Sequence, residues 1–185
     1  MPILPLENVC FPPNLFVDER PFDPEHPWMV IHTKPRQEKV IARHLHAAEL
    51  SYFLPLAKSG KPRAARVPDS FPPVFPGYLF IRNARQNRLP FQILDRAVRI
   101  LDVPDQMTLD KQLQQVWWLI GGDQEVQREE ELKPGDRVMI RMGSMAGMKG
   151  TLIENKGECR FVVSVDFIQK GLSIVVDRES IIPAE

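Results

Sequence analysis

The sequence predicts an α+β protein: a ferredoxin-like layer of helices on an antiparallel sheet, then a small five-stranded β-barrel. Three observations predict it. From Trp28 to Gly121, period-2 and period-3.6 apolar patterns succeed one another in the order β-α-β-β-α-β-α. The stretch "GGDQEVQREEE", Gly121 to Glu131, then drops every apolar repeat. Past it, five short strands separated by turn residues occupy about 54 residues, which is the size of a small barrel.

Residues 1–27 hold seven of the 18 prolines, so regular helix is excluded and an extended arm is expected. Leu4, Leu6, Phe11, Leu15, Phe16 and Phe22 suit a tail docked along a domain surface. "WMVIHT", Trp28 to Thr33, reads as a strand, and Pro35 opens a helix to about Ala48. Val40, Ile41, Leu45 and Ala48 form its apolar side, while Arg36, Lys39, Arg43 and His46 make a basic outer face. A strand at Tyr52–Leu56 leads into "KSGKPRAARVPDS", a basic loop with Lys58, Lys61, Arg63 and Arg66.

"VFPGYLFIR", Val74 to Arg82, follows. After Gly77, strand alternation sends Tyr78, Phe80 and Arg82 to one side and Leu79 and Ile81 to the other. Both sides are apolar. A two-layer domain covers one sheet face with helices, so the other is expected to be covered by something else. A short helix about 86–94, a strand about 98–103 and a helix about 108–120 complete the layer. Leu109, Leu113, Val116, Trp117 and Ile120 form the stripe of the last helix, and Gly121 is placed at its left-handed C-terminus.

The expected organisation is an arm over 1–27, a first domain over 28–121, a linker over 122–131 and a barrel over 132–185. The barrel strands are expected at 137–142, 151–154, 160–167, 172–176 and about 181. The glycines of "GSMAGMKG" fit neither a phosphate-binding GxxxxGK[ST] nor a dinucleotide GxGxxG, and read as turn glycines.

Lys+Arg and Asp+Glu both number 24, so any nucleic-acid surface must be local. Cys10 and Cys159 stand outside any CxxC spacing and supply neither a zinc site nor a disulfide framework. His44 and His46, two residues apart on a helix, diverge and have no acidic partner, so no metal is expected. With no apolar run of membrane length and no signal-like start, the expected compartment is the cytoplasm. No catalytic constellation stands out and no cofactor is expected, so the chain reads as a non-enzyme.

"KPGDRVMIRMGSMAGMKGTLIE", Lys133 to Glu154, resembles a KOW motif. Taken in order with the Trp28 strand, the Lys34–Pro35–Arg36 start with Glu38, and "FPGYLF", Phe75 to Phe80, it resembles the NusG family of bacterial transcription elongation factors over residues 28–185. The resemblance implies an NGN domain that docks on the clamp helices of RNA polymerase, a flexible linker and a KOW barrel that recruits partners. Phe75, Tyr78, Phe80 and Ile100 would form the hydrophobic depression for polymerase, against the alternative that they are domain core. Lys34, Arg36, Lys39, Arg43 and His44 would contact the non-template DNA strand, against the alternative of a solvated helix face.

Phe80 after Tyr78 and the hairpin "FIQKG", Phe167 to Gly171, are closer to the specialised, RfaH-like paralogues than to the housekeeping factor. Ile168 stands where housekeeping members tend to carry the Phe that meets Rho. Phe167 and Ile168, read as adjacent in an extended segment, would then serve a translation partner on the small ribosomal subunit rather than Rho. "RLPF", Arg88 to Phe91, lacks the His-Thr-Thr contact of the RfaH type. The implied molecule is a monomer with no membrane partner. The alternative function, a ribosome- or RNA-associated KOW protein, gains if the Phe75–Phe80 surface is buried within the chain.

Overall fold

A computed structural model describes residues 7–17, 24–58, 70–82, 89–122, 124–129, 131, 135–155 and 157–184. Most of the expected basic loop, with Lys61, Arg63 and Arg66, lies outside the described residues, as does Arg88. The chain divides into two compact units, residues 1–110 and 111–185.

The first unit is built on a five-stranded antiparallel sheet. Its strands are β1 (Cys10–Phe11), β2 (Trp28–Thr33), β3 (Ser51–Phe53), β4 (Tyr78–Arg82) and β5 (Ala97–Asp102), in the order β1-β3-β4-β2-β5. Helices α1 (Glu38–Ala47) and α2 (Phe91–Leu94) supply Ile41, Leu45 and Ile93 to a core with Ile31, Tyr52, Leu79 and Ile81. Register then assigns the other face. Trp28 lies opposite Arg82, Val30 opposite Phe80, and Phe53 opposite Phe80.

Trp28, Val30, Phe53 and Phe80 on that second face are completely buried, so it is indeed covered. Part of the cover comes from the arm, which is strand β1 at 10–11 and then a turn that delivers Phe16. The Phe16 ring stacks on Trp28 at 6.0 Å and meets Phe53 edge-on at 4.8 Å. Helix α3 (Gln106–Gly121) begins against the same strand. Trp28 N–H donates to Gln106 Oε1 at 2.7 Å, Gln106 Nε2 donates back to Trp28 O at 2.8 Å, and the Trp28 indole donates to Asp110 at 2.6 Å.

Several expected bounds shift for local reasons. Helix α1 starts at Glu38 rather than Pro35, because Arg36 takes a left-handed φ of 63° that no α-helix tolerates. Helix α2 covers only Phe91–Leu94, with 83–88 outside the described residues. Gly121 closes α3 as its last helical residue and is not among the positive-φ glycines. Leu119, rather than Trp117 or Ile120, joins Leu109, Leu113 and Val116 as a buried residue of the helix.

The second unit carries β6 (Gln127–Glu129), β7 (Asp136–Ile140), β8 (Lys149–Asn155), β9 (Glu158–Val165), β10 (Lys170–Val175) and β11 (Ile181–Pro183). They form one antiparallel sheet in the order β11-β7-β8-β9-β10-β6. The expected closed five-stranded barrel is therefore a six-stranded sheet whose ends, β11 and β6, do not pair among the described residues. The extra strand comes from the expected linker. Arg160, 3% exposed, donates to Ser173 Oγ at 2.9 and 3.1 Å, and Ser173 Oγ donates to Glu129 Oε1 at 2.5 Å, which fastens β6 to β10. A buried polar group with this many partners escapes the desolvation penalty that an unpaired one would carry.

Gly150 is a strand residue, not the turn residue expected. A Cβ there would lie 2.5 Å from Val162 O and 2.6 Å from the Phe161 ring, so only hydrogen fits where β8 crosses β9.

Candidate functional site

The turn before β4 is fixed from a distance in sequence. Glu38, at the start of α1 and 5% exposed, accepts a 2.7 Å hydrogen bond from Gly77 N–H, and Thr33 N–H donates to Gly77 O at 2.8 Å. Gly77 has φ 84°, a conformation that disfavours any side chain. These contacts aim Tyr78 out of the second sheet face.

Tyr78 is half-buried and its ring stacks on His32 at 5.2 Å with an interplanar angle of 16°. His32 in turn lies opposite Arg99 on the neighbouring strand, so Tyr78, His32 and Arg99 form a cross-strand row on one face. Phe75 and Phe80 stand behind it, edge-on at 6.2 Å and no more than 1% exposed. The four residues expected to form one depression are thus divided. Phe75, Tyr78 and Phe80 come together, but only Tyr78 reaches solvent. Ile100 pairs with Ile31 and points to the opposite face, among the helix-covered core. The sequence missed His32 and Arg99, whose place beside Tyr78 depends on strand register.

The basic residues of the α1 region also separate. Lys34 is exposed, but its ammonium donates to Asp95 O at 2.6 Å. Arg43 is exposed and pairs with Glu7 of the arm at 3.4 Å, also donating to Lys39 O at 3.3 Å. His44 is half-buried. Arg36 is exposed and Lys39 half-buried, and neither has a side-chain partner among the described residues. Those two form the unengaged part of the face. Their cationic groups can meet phosphate at modest energy and with strong salt dependence.

Phe167 and Ile168 do not sit in an extended segment. Asp166–Ile168 is a 3-10 turn closed by Gln169 at φ 54°, with Ile168 8% exposed and Phe167 half-buried. Strand alternation therefore does not apply to this pair; the turn is what turns Ile168 inward and leaves Phe167 at the surface.

Titration is perturbed at Tyr52, whose phenol is pushed up to about 12, mainly by burial and further by the charges of Cys10 and Glu7. Its hydroxyl donates to Asn8 O at 3.3 Å, tying the arm to β3. Burial also raises the Cys10 thiol. No cluster of three or more potential metal ligands occurs among the described residues. No helix among them is long and apolar enough to cross a membrane.

A family model described as "Transcription termination factor nusG" matches residues 26–130. Among curated proteins, none matches the sequence significantly. A solved chain from the crystal structure of the MjSpt4:Spt5 complex in conformation B aligns over 85% of this chain and 97% of its own, at 16% identity and a TM-score of 0.23. A score that low carries no argument.

Proposed function

The chain belongs to the NusG family of non-enzymatic transcription factors, and on that premise we propose that it is an elongation and antitermination factor of the specialised, RfaH-like kind. It docks on the clamp helices of RNA polymerase through the Tyr78 face, suppresses pausing or termination, and recruits a partner through its second, KOW-like unit. It acts as a cytoplasmic monomer. The observation that carries this reading is the match over residues 26–130, together with Tyr78 held at the surface by Glu38 and Gly77 from the matched motif. Phe75 and Phe80 shape the contact from behind rather than touching the partner, and Ile100 takes no part. The strand order β3-β4-β2-β5 supports a ferredoxin-like NGN layer beneath that face.

Arg36 and Lys39 are the residues assigned to the non-template strand, with Lys34, Arg43 and His44 at its margin. Of the pair Phe167 and Ile168, the half-buried Phe167 is assigned to a small-subunit ribosomal partner, and Ile168, mostly enclosed, supports it from within the turn.

One observation favours the second reading, a ribosome- or RNA-associated KOW protein: Phe75 and Phe80 are buried within the chain. The two readings separate in a pull-down of the full chain with purified RNA polymerase and with ribosomes. Capture of polymerase that is lost in Tyr78→Ala supports the first; capture of ribosomes alone supports the second.

A further inference from the structure

The arm makes contacts that neither the polymerase face nor the family match accounts for. It lies outside residues 26–130, where the match to the family runs, yet it reaches back onto α1. Lys39, Arg43 and His46 follow one another at steps of four and three residues, so they share one side of that helix. The arm takes two of the three. Glu7 Oε1 lies 3.4 Å from Arg43 Nε, and the Phe11 ring meets His46 edge-on at 4.9 Å.

The Glu7 side chain is mostly enclosed at 12% exposure, while that of Arg43 is 49% exposed. Among the described residues Arg43 is the ionic partner of Glu7, and a carboxylate drawn out of water needs one. The pair thus has its anion inside and its cation at the rim, where a second anion can approach the guanidinium. A phosphate presents the same paired oxygens as a carboxylate, so the two compete for Arg43. Beyond Glu7 the arm is fastened without that pair. The Tyr52 hydroxyl donates to Asn8 O at 3.3 Å, Leu54 N–H donates to Val9 O at 2.7 Å, and Cys10 and Phe11 pair with Phe53 and Tyr52 across β1 and β3. Glu7 stands just before this anchored stretch, so it can leave Arg43 while β1 stays in place. A half-exposed ion pair is weak enough to yield.

We propose that the arm is an autoinhibitory cover in which Glu7 takes the place of a DNA phosphate on Arg43, holding the α1 face below its full affinity for single-stranded DNA until Glu7 is displaced. Regulation of this kind rests on the assignment of Arg36 and Lys39 to that strand, and it adds Arg43 as a third, conditional contact. Arg36 and Lys39 are open to the strand from the start; Arg43 joins them only once Glu7 has left.

The test titrates the full chain with a short fluorescent thymidine oligonucleotide over a range of salt. Glu7→Gln, verified as folded by circular dichroism, is expected to bind several-fold more tightly at low salt and to steepen the log–log salt slope by about 0.7, the increment of one phosphate contact on a single strand. Glu7→Ala gives the same increment where the Gln amide still holds Arg43. In an Arg43→Gln background the Glu7 substitutions leave the slope unchanged, because the cation they release is missing. Glu49→Gln, which removes an exposed carboxylate just past α1, also leaves the slope unchanged. An unaltered slope in both Glu7 variants, an increment that persists without Arg43, or an equal increment in Glu49→Gln overturns the role of the arm. Arg36→Glu combined with Lys39→Glu separates the two levels. A reversal that leaves wild-type binding unchanged rejects the DNA assignment and the regulation with it, whereas the expected loss on reversal with no gain from the Glu7 variants rejects the role of the arm alone.

Discussion

Tyr78 and Phe80 lie two residues apart on the same strand and face, yet the structure gives them different work. Phe80 is completely buried between Phe75 and Phe53, so Phe80→Ala is expected to lower folding stability by about 3–5 kcal/mol, read by chemical denaturation. Tyr78→Ala removes a half-buried ring whose partner is His32 and leaves the core intact. If this face docks on polymerase, Tyr78→Ala costs roughly 2–4 kcal/mol of binding with little change in folding, as central aromatic contacts do. Equal affinity of folded Tyr78→Ala and wild type, measured by titration against polymerase, would reject the face. Tyr52 gives a second residue-scale outcome. Its pKa is raised from 10.0 to about 12, so the folded state holds the phenolic proton more tightly than the unfolded chain. This contribution to stability is fully present below about pH 10 and disappears as pH rises towards 12. Melting temperature against pH should therefore fall less steeply over that window in Tyr52→Phe than in wild type.

Helix α1 and strand β6 set the limits of the element scale. On α1, Arg43 is engaged by Glu7 and Lys34 by Asp95 O, so the nucleic-acid reading falls on Arg36 and Lys39. Reversing both charges is expected to reduce the salt slope of single-stranded DNA binding by at least about 1.4, at roughly 0.7 for each lost phosphate contact. Recruitment to paused complexes that is unaffected by the double reversal would leave α1 as a solvated face. Strand β6 is held through a buried cation. Arg160→Ala strands Glu129 and Ser173 without their shared donor, and removal of one partner from such a buried network costs about 3–5 kcal/mol. Denaturation of the full chain, together with loss of hydrogen-exchange protection at residues 127–129, checks this outcome. A loss of stability with β6 still protected would show that Arg160 acts on the sheet without fastening that strand.

For the whole molecule, the consequential matter is which partner the second unit serves. Its 3-10 turn leaves Phe167 at the surface and Ile168 mostly enclosed, so Phe167 is the side chain available for contact. In a titration of the full chain, Phe167→Ala is expected to weaken binding to small ribosomal subunits by about tenfold, corresponding to a 1.4 kcal/mol contact. Tight binding to Rho with none to the subunit would instead return the protein to the housekeeping class.

The sequence alone determined the α+β content, the number and order of the main elements between Trp28 and Gly121, and the shift at the acidic stretch to short strands. It did so because burial imposes a period on each element and because Gly, Pro and turn residues punctuate the chain locally. It also determined that the face of β4 bearing Phe80 needed cover, and Phe16 and the start of α3 answer to that need. The tertiary structure alone decided what lies on that face. Whether Tyr78 meets His32, or Ile100 shares its side, depends on register between strands far apart in sequence. The same holds for β6, whose polar "QRE" carries no apolar signal and becomes a strand because β10 offers an open edge and Arg160 a buried charge to satisfy. At Phe167 and Ile168 the local pattern misled, since a one-turn 3-10 segment leaves no period to read and its geometry is set by Gln169 in a left-handed conformation. Periodicity is a property of one segment, whereas a site is assembled from several, and only their pairing fixes which side chains meet.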